Sequence, residues 1–462
     1  MVARERYDVV IVGAGAMGLA SAYHLIHDHP ELSILVVEAR SGAGEGSMGA
    51  SNAMVRDVFS SEDNRRLARN AIAFYRHLMD EHEGLRDPVP LLDLYGYLWL
   101  LPEREQKEYY SLLRQSEGSL DARPVELADL RTCPGLEVAP ARWYEGDEAA
   151  PPEPITGGLF GRYCGAVAPE MLARYYLEQA RSRGVEFRFD SCVQRLSFEG
   201  REEILLHEPS KMPFAFQEHV KGRLRISRVH FGDGRSVRAD RVVVAAGAWA
   251  EKLLHPLGVA TACSPQAQLL FSVSGPAVAE LLDWVPPVDP IDTDRGRARF
   301  PFLILPTGAT LKPIFPQRQM WVGCVDRIAH PIGTREDPGT DGRLDYDMGR
   351  MGDREAFGTD VLPSVTPYLP RFETTGVRLE NSWGGYYNFS PDGLPVLLEE
   401  SFGVIFVGGD SGSGVMKADS LGRLVAAQYE GKADARLYSG ETYRLSRLSL
   451  GHRVVQEERI IL

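Results

Sequence analysis

The eleven residues DVVIVGAGAMG, 8–18, constrain this chain more tightly than any others. A β-branched run ends in Gly13, Gly15 and Gly18 at GxGxxG spacing, and the Ala/Leu-rich stretch LASAYHLI follows. Gly13 permits a tight strand-to-helix turn, Gly15 lets backbone amides approach a pyrophosphate, and Gly18 lets the helix lie close to the strand. Glycine pairs recur in ordinary turns, so the context decides. An apolar strand precedes the motif, a helix follows, and a second strand, ILVVE, ends in Glu38, 20 residues past Gly18, where an acid would hold a ribose hydroxyl. The segment therefore reads as a dinucleotide site opening a βαβ unit.

The rest of the chain bounds what surrounds that site. At 462 residues it is too long for one compact core, and a prior of roughly 150 residues per domain gives two or three domains. Lys+Arg 51 against Asp+Glu 64 gives a net charge of −13, with no long block of like charge, which argues against a nucleic-acid partner. The opening MVARERYDVV lacks the apolar core and cleavage site of a signal peptide, and no run of roughly 18 apolar residues occurs to span a membrane. The expectation is a cytoplasmic protein, with peripheral attachment at the inner face of the membrane left open. Cys133, Cys164, Cys192, Cys263 and Cys324 are scattered, odd in number and without a CxxC pair, so they read as reduced and structural, and no metal site is expected.

Periodicity places further elements. Residues 171–190, MLARYYLEQARSRGVEFRFD, read as an amphipathic helix closed by Gly184 and followed by a strand; CVQRLSFEG continues as β structure. The polar stretch 207–223 reads as a long loop. After it comes a hairpin turned at Gly232-Asp233-Gly234, then the strand RVVVAAG, then a helix opening near Trp249. LLDLYGYLWLL at 91–101, QAQLLFSV, TLKPIFP and QMWVGCV are strand candidates without regular helices between them, which predicts an antiparallel sheet. The Pro-rich, acidic stretch 144–158 reads as an exposed crossing between the two parts. His24, His27 and His29, near the first helix, read as surface residues.

The GxGxxG start, the central VVVAAGAW segment, and the late SPDGLPV followed by VGGDSGSGVMKADSLGRLVA resemble, in this order, the D-amino acid oxidase superfamily of FAD enzymes. The likeness is to its sarcosine oxidase, glycine oxidase and dye-linked L-proline dehydrogenase branch, and it covers almost the whole chain. It implies an α/β (α+β) two-domain flavoprotein. A Rossmann-like FAD-binding domain would be assembled from 1–90, 155–260 and 375–440, and a discontinuous substrate domain on a mainly antiparallel sheet from 91–154 and 261–374, leaving 441–462 as a C-terminal extension that covers a partner or caps the site entrance.

The resemblance also implies the cofactor contacts: Gly13, Gly15, Ala16, Met17 and Gly18 at the pyrophosphate; Glu38, Ala39 and Arg40 at the ribose; Ser47, Ser51, Asn52, Ala53 and Met54 in the Gly/Ser-rich stretch; Val193; Ala245, Ala246, Gly247 and Trp249; and Gly409, Gly412, Ser413, Gly414, Val415, Met416 and Lys417 in the late loop. A helix N-terminus there would stabilise negative charge at the flavin pyrimidine. Arg56 occupies the position of an arginine that contacts the substrate carboxylate in the sarcosine oxidase branch. Lys417 falls one residue later than the branch's substrate-facing lysine, and a shift of one residue turns a helical side chain by roughly 100°. Tyr386 and Tyr387, with Trp383 and Phe389, would wall a small amine pocket. The branch's tethering cysteine is replaced by Gly384-Gly385, and its flavin-loop histidines are absent, with Ser413 in the late loop, so FAD is expected to be non-covalent.

An amine substrate asks little acid-base work of the protein, because hydride can pass from the carbon beside a neutral amine to flavin N5. The expected reaction is oxidation of a secondary or N-methyl amino acid, such as L-proline or sarcosine, to an imine, with electrons passed to a quinone, a dye-like acceptor, a partner protein or oxygen. A hydroxy-acid or glycerol-phosphate dehydrogenase is the enzymatic alternative and needs a base for the hydroxyl proton. A non-catalytic flavin-bearing relay subunit is the other. A homo- or hetero-oligomer is compatible with either.

Overall fold

The computed structural model describes residues 4–86, 89–116, 118, 120–140, 152–199, 224–288, 299–324, 357–374, 376–451, 453, 455 and 458–460. The 207–223 stretch and residues 144–151 of the acidic crossing lie outside them.

The strand Arg6–Val12 sits at the centre of an eight-stranded sheet. It pairs in parallel with Ile34–Val37 on one side and Ser236–Val244 on the other. Glu186–Arg188 and Val404–Gly408 extend the parallel array outwards. Val193–Phe198, Ile226–Phe231 and Val396–Glu400 add antiparallel pairs at the margins. A parallel sheet is buried on both faces and needs near-continuous apolar strands, which VVIV, ILVV and RVVV supply. Val9 and Ile11 face the core under the helices, while Val10 and Val12 face the opposite core. The Gly232–Gly234 hairpin joins Ile226–Phe231 to Ser236–Val244 as the sequence predicts.

Two helices distant in sequence cover the first face together. Ala16–Asp28 packs against Ala418–Tyr429, so closely that a Cβ on Gly422 would lie 2.6 Å from the Ala20 carbonyl oxygen. That contact corrects the reading of His24 as a surface residue. It is buried between the helices, with Nε2 2.7 Å from Asp419 Oδ1. A polar group between packed helices must be paired, and the partner here is 395 residues away. His27 is exposed as expected, and His29 is partly covered beside Glu430.

The second eight-stranded sheet runs in the order Arg378–Phe389, Ser264–Ser274, Gln319–Cys324, Ala309–Ile314, Phe302–Ile304, Tyr97–Pro102, Ile155–Gly161 and Ala122–Val125. All pairs are antiparallel except Phe302–Ile304 with Tyr97–Pro102. The aromatic stretch 91–101 is two strands rather than one, broken where Gly96 takes φ +88°. Ile155–Gly161 and Arg378–Phe389, expected in the FAD-binding part, hydrogen-bond into this second sheet; the latter runs in register with Ser264–Ser274 from Ser264 opposite Phe389 to Ser274 opposite Arg378. A separate three-stranded sheet joins Met54–Val55, Gly165–Val167 and Leu92–Leu94.

The C-terminal extension folds back on the chain. Thr442–Arg444 pairs with Asp434–Arg436, and Tyr443, Leu445 and Leu448 enter the core under the helices. Further on, Arg453 forms a buried ion pair of 2.8 Å with Asp392, and Ile460 is fully buried beside Met54, Tyr97 and Trp99.

Candidate functional site: a dinucleotide loop and an adjoining neutral cavity

Each glycine of the first loop meets a different demand. Gly13 takes φ +104°, and a Cβ there would lie 2.5 Å from the Ala245 carbonyl oxygen; one on Gly18 would lie 1.9 Å from the carbonyl oxygen of Gly13. Both positions exclude a side chain. Gly15 has nothing within 4 Å of its Cβ position and caps Ala16–Asp28 without a side-chain hydrogen bond. Ala16, Met17 and Gly18 thus form an open helix N-terminus, suited to phosphate.

Glu38 follows the second strand with its carboxylate fixed by the chain: Oε2 accepts from the Ala14 amide at 2.8 Å and Oε1 from the Arg40 amide at 2.9 Å. The Asp190 and Ser191 amides donate to the carbonyls of Arg40 and Glu38, and Val193 follows two residues later at the start of the strand Val193–Phe198. The Ala245 amide donates to the Val12 carbonyl, and the chain turns through Ala246 and Gly247 into Trp249, whose ring meets Tyr386 edge-on at 5.7 Å.

Next to this loop lies a cavity built from strands of the second sheet and from the segments 47–54 and 412–416. Ser47, Ser51, Asn52, Ala53 and Met54 line one side; Tyr386 and Tyr387 another; Gly412, Val415 and Met416 a third; Tyr97, Gln268, Leu270, Phe302 and Thr310 close it. No His, Asp, Glu, Lys or Arg side chain is among the described lining residues. Ala53 takes φ +48°, a strained conformation for a residue with a Cβ. Three buried polar atoms of the lining have no partner among the described residues: Asn52 Oδ1, Tyr97 Oη and Gln268 Nε2. Unpaired groups of this kind are rare in protein interiors, and three on one cavity wall leave room for polar partners from a ligand or water.

The late loop gives backbone rather than side chains. Gly409 and Gly412 take φ +62° and +79°; a Cβ on Gly412 would strike the Tyr387 ring at 2.7 Å, and one on Gly414 the Asp410 carboxylate at 2.5 Å. The Ser413 amide and hydroxyl both turn back to the Asp410 carbonyl. The loop then enters the turn Val415–Lys417.

The two cations singled out from the sequence lie behind the cavity wall. Lys417 is fully buried, donates to Asn64 Oδ1 at 2.6 Å and Ser413 Oγ at 2.5 Å, and is not a lining residue; Met416, one position earlier, is. Burial pushes the Lys417 ammonium down to about 7, against the opposing pull of Asp410 and Glu458. Arg56 is buried as well: its Nη1 donates to the carbonyls of Val58 and Ile460, at 2.8 and 2.9 Å, and its guanidinium stacks 4.1 Å over Phe59. Burial would push the Glu458 carboxyl up, but Arg56 and hydrogen bonds from Ser60 and Ser61 hold it below its usual range. Asn64 links the two halves, donating to Glu458 and accepting from Lys417.

Sequence reading missed Tyr97, Gln268, Thr310, Lys312, Asp410 and Asn64. Lys312 donates to the Asn52 carbonyl at 2.5 Å with its ammonium 4.5 Å over the Trp321 ring, and burial lowers it to about 8. A signal did exist. In TLK, Thr310 and Lys312 share one face of a strand whose other face, Ala309 and Leu311, is core; Tyr97 and Trp99 alternate likewise with Leu98 and Leu100.

A glycine-lined helix N-terminus, an acid at the next strand end and a polar-lined cavity between two sheets define a dinucleotide-dependent enzyme class. Residues 8–428 match the FAD dependent oxidoreductase (DAO) family, to which the chain belongs. FAD-dependent oxidoreductase domain-containing protein 1 of Bos taurus is 25% identical over 91% of this chain and 81% of its own length. Sarcosine oxidase subunit beta of Rhizobium meliloti is 29% identical over 40% of this chain and 41% of its own. Among solved structures, L-proline dehydrogenase from P. horikoshii superposes with a TM-score of 0.67 at 18% identity, covering 98% of this chain and all of that one; glycine oxidase from Geobacillus kaustophilus gives 0.65 at 20%, covering 97% and 100%. The fold is that of these two-domain flavoenzymes, and FAD is the cofactor. The open Gly15, the oriented Glu38, the unpaired Asn52 and Gln268 atoms and the 412–416 backbone fit it. No described helix is long and apolar enough to cross a membrane, and no described group of His, Cys, Asp or Glu is arranged to hold a metal.

Proposed function

We propose that this chain oxidises a small secondary or N-methyl amino acid, of the class of L-proline or sarcosine, to its imine. The carrying observation is the chemistry of the cavity wall: no described lining residue bears a carboxylate, imidazole, ammonium or guanidinium. Oxidising an alcohol requires a base to take the hydroxyl proton. The lining tyrosines are poor candidates: burial raises Tyr387 to about 12 and Tyr97 well above its usual value. A neutral amine needs no such group, because its lone pair assists departure of hydride from the adjacent carbon. This chemistry favours the amine over the hydroxy-acid and glycerol-phosphate alternatives, and the unpaired polar lining atoms favour a substrate pocket over a relay subunit.

FAD supplies the hydride acceptor. The chain's residues do the rest. Tyr386, Tyr387, Phe302 and Met416 exclude water and orient the substrate carbon, while Lys312, Lys417 and Arg56, buried behind the wall and partly offset by Glu458, are the cations nearest to an acidic substrate and a cofactor gaining negative charge. FAD stays non-covalent in this reading, since Gly384-Gly385 replace the tethering cysteine of the sarcosine oxidase branch that the sequence resembles. A sarcosine oxidase subunit and an L-proline dehydrogenase among the relatives agree with this substrate class.

The test is the visible spectrum of the purified protein, recorded anaerobically before and after L-proline, sarcosine, glycine, D-alanine and a hydroxy acid in turn. Bleaching by a secondary amino acid, followed by reoxidation in air or only by a quinone-like acceptor, is the expected result and separates oxidase from dehydrogenase. Bleaching by the hydroxy acid alone would overturn the reading.

A further inference from the structure

Arg56 donates Nη1 to two main-chain carbonyls, one supplied by Ile460 from the end of the chain, while its Nε is buried without a partner among the described residues. Lys417 is committed to Asn64 and Ser413. Neither lines the cavity. A substrate's acid end must then meet something else.

We propose that Tyr97 is the substrate-specificity residue that holds the anionic end of the substrate. This inference rests on the amino-acid reading above. Tyr97 opens the strand Tyr97–Pro102, lines the cavity and is fully buried, with Oη unpartnered among the described residues. Its ring is fixed between Phe302, 4.6 Å between centroids, and Trp99, 5.3 Å. A hydroxyl on so constrained a ring is a preorganised donor.

Three features favour an anion at that hydroxyl. Tyr97 lies within electrostatic reach of Arg56, whose charge acts on it, and of Tyr387, a second cavity phenol. Arg56 also lies over Trp99, 5.8 Å to the centroid, so guanidinium, indole and phenol form a layered series towards the cavity. Burial keeps the Tyr97 hydroxyl protonated, so it remains a donor at all working pH. A neutral donor in front of a buried cation binds a carboxylate without leaving an uncompensated charge in the empty pocket.

The test uses the FAD-loaded protein and a carboxylate it cannot oxidise. Propionate binding is measured by calorimetry for the wild type, Tyr97→Phe and, as a control for deleting a buried hydroxyl elsewhere, Tyr443→Phe, which lies in the core under the helices beside Asp63. Tyr97→Phe should weaken propionate about tenfold or more and leave the melting temperature equal or higher, since an unpaired buried hydroxyl is lost; Tyr443→Phe should leave the affinity unchanged. With the amine that bleaches the flavin, Tyr97→Phe should raise KM by a similar factor with kcat nearly unchanged. Propionate affinity equal in wild type and Tyr97→Phe, or no propionate binding by the wild type, overturns the proposal. If no amine bleaches the flavin while propionate binding still depends on Tyr97, the amine reading falls and the anion site stands.

Discussion

The two large sheets hold the site from opposite sides and are built on different logic. The parallel sheet around Arg6–Val12 meets its ligand mainly through backbone: Gly13, Gly15 and Gly18 have no side chain to present, and in the 412–416 loop Ser413 turns back to Asp410 while Val415 and Met416 alone bring side chains to the cavity. The antiparallel sheet meets the cavity through side chains, Tyr97, Gln268, Thr310 and Tyr387, carried on four separate strands. A backbone site tolerates no added atom. A side-chain site tolerates exchange of what it presents. A cofactor loop can therefore stay constant while a substrate wall varies, which is how one fold hosts many reactions.

The contrast breaks first at the glycines. Gly18→Ala puts a methyl 1.9 Å from the Gly13 carbonyl oxygen and cannot be relieved by a rotamer; we expect loss of essentially all FAD, read as flavin content after gel filtration. Gly15→Ala, with open space around its Cβ, should keep the fold and the melting temperature of the FAD-free protein but still lose flavin affinity, because the methyl occupies room that phosphate needs. Equal effects on folding would show that the loop is a packing device and not a binding one.

The next largest effect tests the C-terminal extension. Arg453→Ala leaves Asp392 buried without its partner, and breaking such pairs costs about 3–5 kcal/mol. Urea denaturation should register most of that, and a change well under 1 kcal/mol would mean the extension contributes little. On the side-chain sheet, Leu311→Ala, on the face away from the cavity, should cost about 2–5 kcal/mol while leaving flavin content unchanged. Loss of flavin instead would show that the two sheets are not separable in function.

The last effect is a pH dependence. Lys417 sits near 7 in the folded chain against 10.5 when free, so the unfolded state binds the extra proton between those values. The stability penalty is full below pH about 7 and fades as pH rises towards 10.5. Lys417→Met should remove that rise, seen as unfolding midpoints that no longer climb across this window.

Much of the first sheet was legible because its determinants are local. The turn glycines, the apolar strands and Glu38 fall within one stretch of chain, and the helix Pro169–Ser182 with its Gly184 stop reads directly from spacing. Which sheet 155–161 and 378–389 join was not legible, because a strand's sheet is set by its partners: Arg378–Phe389 pairs with a segment more than a hundred residues earlier. His24 was misread for the same reason, its partner Asp419 lying on the other side of the molecule's sequence. Lys417 could be flagged as offset by one position, but not as a ligand of Asn64.

What the sequence determined by itself was the loop, the cofactor class and the family order of the segments, since glycine stereochemistry and strand periodicity act over a few residues. What only the tertiary structure decided was which polar atoms stand unpaired together: Tyr97, Gln268 and Asn52 come from three distant segments, and Arg56 is withdrawn from the cavity by a carbonyl from the chain's far end. Hydrogen-bond pairing and burial belong to packed neighbours, and neighbours are a property of the fold.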